Sequence, residues 1–173
     1  QMADGALNEQ SSILIRLREI TTQSATGTIG NVERTSLQLE FSALRSEFDR
    51  IANTTEFNSR KLLDGSLAAS SSDTTVLQIG LDSSDNNRFD LNQKINLTAI
   101  TSSALGFSTD SISTNTGAVT AMANLSSAID KLATIRGRVG SALEGLDYSK
   151  GALAANVENL TGAISTMRDA DFA

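Results

Sequence analysis

The 173-residue sequence contains no cysteine, histidine, proline or tryptophan. Without Cys or His it cannot build the usual zinc, haem or iron–sulfur sites, nor a Ser–His or Cys–His nucleophile. No catalytic, cofactor-binding or metal-ligating residue is therefore expected, and the chain reads as something other than an enzyme. Basic residues are also scarce, 14 Lys and Arg against 20 Asp and Glu, for a net charge of −6. Binding to a phosphate backbone needs the opposite balance, so nucleic acid is not an expected partner. The longest stretch without a charged side chain, Ser111 to Ile129, is rich in Ser, Thr and Asn. It is too polar to span a bilayer, and a membrane is not expected either. Aromatics make up only 4% of the chain, six Phe and one Tyr. Such a composition suits long helices joined by thin apolar seams better than one thick core. The lack of Cys fits an exported protein and a cytosolic one equally well.

What is present is periodic. Leu7, Ile13, Leu14, Leu17 and Ile20 fall on one face, with Arg16, Arg18 and Glu19 between them, which predicts an amphipathic helix from Leu7 to Gln23. No cap or turn residue precedes it, so the chain reads as a fragment that starts inside a longer helix. The glycines and hydroxyls of Ser24–Asn31 predict a turn. Leu37, Phe41, Leu44, Phe48 and Ile51 then follow a 4,3,4,3 spacing, the seam of a second helix from Glu33 to Ile51. Phe57, Leu62 and Leu63 read as a short apolar tail closed by Asp64-Gly65. Between Ser66 and Gly117 the period changes to two. Val76–Ile79 and the alternation around Phe89 and Leu91, separated by Asp85-Asn86-Asn87, predict an antiparallel hairpin, and Ile95, Leu97 and Ala99 predict a further strand.

The last third predicts one helix from about Ala118 to Arg168, roughly 75 Å long at 1.5 Å per residue. Its apolar positions Leu125, Ile129, Leu132, Val139, Leu143, Leu146, Leu153, Val157, Leu160, Ile164 and Met167 form a 3,4 repeat in which Arg136 and Lys150 are the two misses. A compact domain of this size holds no such helix. The expected fold class is mainly α with a small β-hairpin patch: an elongated, coiled-coil-like rod of antiparallel long helices. The expected division is a first helix over 1–24, a second helix with a short extension over 31–64, a hairpin and loop region over 65–116, and a final helix over 117–171. Gly137, Gly140, Gly145, Gly151 and Gly162 in that helix predict either a closely approaching neighbour or flexure. Asp169 and Asp171 with Glu158 read as a solvated acidic end rather than a cation site.

Three separated stretches resemble bacterial flagellin, in its conserved rod domain: QMADGALNEQSSILIRLREITTQSATGT at the start, FDRIANTTEFNSRKLLDG from Phe48 to Gly65, and VENLTGAISTMRDADFA from Val157 to Ala173. The resemblance implies a structural subunit of the extracellular bacterial flagellum, exported with its chaperone through the flagellar type III apparatus. Other flagellin subunits are then its partners in a self-assembled helical filament. It also implies that the family's terminal helices lie outside this chain, and that the fragment alone is a monomer. On the family pattern, Arg16, Leu17, Arg18, Glu19, Ile20, Gln23 and Glu40 match a surface that contacts neighbouring subunits and is read by a vertebrate Toll-like receptor. Where the family usually has Gln and Ala, this chain has Ile15 and Thr21. A hook–filament junction protein, or another type III secreted coiled-coil protein, is the alternative.

Overall fold

The computed structural model describes residues 1–80, 82 and 84–171, with side chains through Arg168. The acidic end at Asp169 and Asp171 therefore lies outside the described side chains. Three long helices dominate: α1 (Met2–Ser24), α2 (Asn31–Thr54) and α5 (Asn115–Asp171). Between α2 and α5 lie β1 (Glu56–Phe57), β2 (Arg60–Lys61), β3 (Val76–Gln78), β4 (Arg88–Asp90), α3 (Leu91–Ile95) and α4 (Ser102–Leu105). At 57 residues, α5 is about 85 Å long, so the molecule is a rod.

The face that α1 buries is the predicted one: Leu7, Leu14, Leu17 and Ile20 are fully enclosed. α2 buries Phe41 and Phe48, while Leu37 and Leu44 pack at the seam's flank. Phe107 from the connecting segment meets Phe48 edge-on, with ring centroids 5.3 Å apart at 75°, the arrangement aromatic quadrupoles favour. Along α5 the phase of the seam differs from expectation. The buried positions are Ala118, Ala121, Leu125, Ala128, Leu132, Ile135, Val139 and Ala142. Ile129 and Leu143 are only partly covered, and Arg136 is no seam defect because the seam runs through Ile135. Alanines fill the narrow space where α5 lies along α1. Beyond Leu153, which is half-buried, the apolar stripe continues without cover among the described residues, and Val157, Leu160, Ile164 and Met167 are 49–66% exposed. No close neighbour explains the five glycines from Gly137 to Gly162: nothing lies within 4 Å of a Cβ placed at Gly137, Gly140, Gly151 or Gly162, and Gly145 meets only the Phe89 ring at 3.6 Å.

The connecting region corrects two expectations. Phe57 does not belong to an apolar tail; it is 63% exposed on a tight hairpin in which β1 pairs antiparallel with β2. The turn residues Asn58 and Ser59 both have positive φ, 51° and 60°, the requirement of a type I′ turn. The second hairpin, β3 with β4, forms as predicted, with Val76 opposite Asp90 and Leu77 opposite Phe89. The strand expected around Ile95 is instead the short helix α3, because Asp90 accepts from the Gln93 amide as its N-cap and Asn96 ends it in the left-handed conformation. Leu97 makes only an isolated bridge to Leu67. α4, which the residue pattern did not suggest, is bounded by the Thr101 cap and Gly106 at φ 94°.

Polar side chains of α2 hold this segment against the rod. Gln38 Oε1 accepts from the Ile112 amide at 2.6 Å, Arg45 donates to the carbonyls of Ser108 and Asp110, and Asp49 accepts from the Ser102 amide and hydroxyl. Asn92, fully buried, organises the loop before β3 by donating to the Ala68 and Asp73 carbonyls and accepting from the Thr75 amide.

Candidate functional site

The outer face shared by α1 and α2 carries the charged residues singled out in the sequence. Its register is set at the turn between the helices. Arg34, only 8% exposed, donates through Nε to the Ser24 carbonyl at 3.0 Å and through Nη2 to the Thr26 carbonyl at 3.0 Å. The Ser24 carbonyl that ends α1, and the Thr26 carbonyl two residues beyond it, which also accepts from the Ile29 amide at 3.3 Å, thus share a planar cation that complements the helix dipole. The sequence holds a signal for this role. Arg34 stands seven residues before Phe41 and fourteen before Phe48, a charge in the seam itself. Further along, fully buried Gln10 donates to the carbonyls of Phe48 and Ile100, at 3.1 Å each, joining α1 to α2 and to the connecting segment.

With that register fixed, Arg16 of α1 reaches Glu40 of α2. Nε to Oε1 is 2.8 Å and Nη2 to Oε1 is 2.6 Å, while Nη1 meets Glu19 at 3.1 Å. Hydrogen bonding to Glu40, and then to Glu19, raises the Arg16 pKa above its ordinary value and keeps the guanidinium charged. The Arg16 side chain is 51% exposed and that of Glu40 39%. In this state solvent screens the pair and it adds little to fold stability, but it presents a preorganised fork to any surface that excludes water from it. Arg18, Glu19 and Gln23 are exposed beside it. Leu17 and Ile20 are not part of the surface: both are fully buried, because their positions on α1 face the core, so the expectation that they make contacts is corrected. Ile15 lies outside at 53% exposure, and Thr21 is buried with its hydroxyl donating to the Leu17 carbonyl.

No group of three or more metal-ligating side chains comes together among the described residues. Arranged on an exposed rod face, charged and hydrogen-bonding groups of this kind can bind a protein surface. Fold and face together define a rod-shaped helical protein of the interaction or assembly class.

Comparison with known proteins gives the family. Residues 1–68 match the model of the bacterial flagellin N-terminal helical region. The whole chain aligns with the flagellin of Halalkalibacterium halodurans at 34% identity, covering 60% of that protein, and with the flagellar filament 30.7 kDa core protein of Treponema maltophilum at 31%, covering 62%. The crystal structure of Bacillus cereus flagellin superposes with a TM-score of 0.70 at 31% identity, over 86% of this chain and 80% of that one. The chain belongs to the flagellin family, a family of structural proteins rather than enzymes. It spans about 60% of the length of these two curated relatives.

Proposed function

We propose that this chain is a structural subunit of the bacterial flagellar filament, packed outside the cell against other flagellin subunits after export with a chaperone through the flagellar type III apparatus. The observation that carries this reading is the Arg16–Glu40 pair, a bridge between two helices on the open face of a rod, in a chain of the flagellin family. Arg16, Arg18, Glu19, Gln23 and Glu40 form the contact patch. Desolvated by a neighbouring subunit, an arginine held in this way is the kind of anchor that dominates an interface. A flagellin-sensing Toll-like receptor is a second reader of the same patch, with exposed Ile15 at its margin.

Gene deletion in the flagellated cell tests the reading. Loss of surface filaments and of swimming is expected, with both restored by the parent gene. Arg16→Ala is expected to be exported and folded yet to assemble poorly. Cells that keep normal filaments and motility without the gene would refute the reading, and an Arg16→Ala strain that swims normally would refute the assignment of the patch.

A further inference from the structure

α2 carries Glu33, Glu40 and Glu47 at seven-residue intervals, with Val32 and Leu39 immediately before the first two. Seven residues of helix advance about 10 Å with a drift of about 20°, so the carboxylates form one ridge and the apolar pair stands beside it; within the chain Glu40 holds Arg16 through Oε1 alone, while Glu47 is gripped through both oxygens by Arg50. Val32 is 77% exposed and Leu39 69%, high values for branched apolar side chains on the face of a helix turned away from its own core.

Different elements build a surface of the opposite character. α5 and the segment around α4 enclose a groove of about 560 Å³, with Ala99, Leu105 and Ile135 among its apolar lining, Thr98 beside them, and Lys131 and Arg138 as its charges. No carboxylate lines it. Lys131 donates to the Leu105 carbonyl at 3.2 Å, and the Arg138 side chain has no hydrogen-bond or ion-pair partner among the described residues. These two cations are also seven residues apart, so their spacing along α5 equals that of neighbouring carboxylates along α2.

We propose that the Glu33–Glu40–Glu47 ridge of one copy docks into the Lys131–Arg138 groove of a second copy, with Leu39 entering its apolar part. This rests on the filament reading and supplies the opposing surface for the Arg16–Glu40 patch. Ridge and groove lie on different elements of one chain, so the contact is compatible with a heterologous interface, which builds an open polymer when its rotation does not close. Glu40 can serve both cations, because a carboxylate has two oxygens and about four lone-pair sites.

The absence of cysteine from the chain makes cross-linking a clean test. Glu40→Cys and Arg138→Cys chains are co-expressed as the full protein in flagellated cells, and sheared filaments are oxidised. Dimers joined between position 40 of one copy and position 138 of another are expected, identified by mass spectrometry, with neither variant cross-linking when expressed alone. Charge reversal provides a second readout. Glu40→Lys and Arg138→Glu should each raise the critical concentration for seeded polymerisation at least about tenfold, and the combined variant should recover most of it. Filaments that form but give only 40–40 links, or no links, with no recovery in the combined variant, would overturn the proposed pairing while leaving the filament reading intact. Absence of this chain from any filament would overturn both.

Discussion

Replacing Arg34 by Ala removes both cross-helix bonds that end α1, to the Ser24 and Thr26 carbonyls. A hydrogen bond involving a charged group contributes about 1.5–3 kcal/mol, so two give about 3–6 kcal/mol as an upper bound. The Thr26 bond is only part-buried whereas the Ser24 bond is buried, so water recovers much of the former and little of the latter. The expected cost is therefore about 2–4 kcal/mol. For a chain of this length that lowers the thermal midpoint by roughly 5–15 °C. Arg34→Lys places a point charge where the fork was, satisfies one carbonyl, and should lose about half as much. Urea unfolding followed by circular dichroism, with equal slopes in parent and variants, measures both costs. If Arg34→Ala falls within about 0.5 kcal/mol of the parent, the turn is not held by this residue. If Arg34→Lys equals the parent, the two-pronged geometry is irrelevant.

Three further outcomes follow from particular residues. Ser59→Gly relieves a positive φ at the β1–β2 turn and should stabilise the protein by about 0.5–1 kcal/mol in thermal melts; a loss of stability would contradict the turn geometry. Phe107→Ala empties a fully buried site against Phe48 and should cost about 3–5 kcal/mol, whereas a cost below about 1 kcal/mol would place that ring outside the core. Arg50 hydrogen-bonds Glu47 and lowers its pKa from the ordinary value. The folded pKa is below the unfolded one, so this pair's contribution is present above the ordinary carboxylate range and disappears as pH falls through the lower folded value. In an NMR titration the Glu47 midpoint should move up in Arg50→Ala, and an unmoved midpoint would refute the pairing.

The long elements were legible because their large apolar residues recur at helical spacing. Leu7, Leu14, Leu17 and Ile20 in α1 and Phe41 and Phe48 in α2 are buried as the pattern predicts, and the cross-helix pairing of Arg16 with Glu40 follows from two amphipathic helices joined by a short turn. The phase of α5 is not marked by its large side chains, because the buried seam mixes alanine with leucine, isoleucine and valine. Alanine is too common in helices to mark a face, yet it decides how closely two helices approach. The β1–β2 hairpin was hidden by strands of two residues and by a turn lacking the usual glycine at Ser59. α3 was hidden because alternation and a capped single turn look alike over five residues, and only the hydrogen bond to Asp90 separates them. Burial of Leu17 and Ile20 could be read from the same periodicity that identified α1; the family pattern drew them into the contact surface, and the helix face returns them to the core.

We propose that this chain builds the filament through the face carrying Arg16 and Glu40. Electron cryo-microscopy of filaments sheared from the source cells tests it directly. The expected density fits α1, α2 and α5 of this chain, repeated along the polymer, with Arg16 and Glu40 buried against an adjacent copy. Filaments built from another protein, or a lattice of this chain in which the Arg16–Glu40 face opens to solvent, would contradict it.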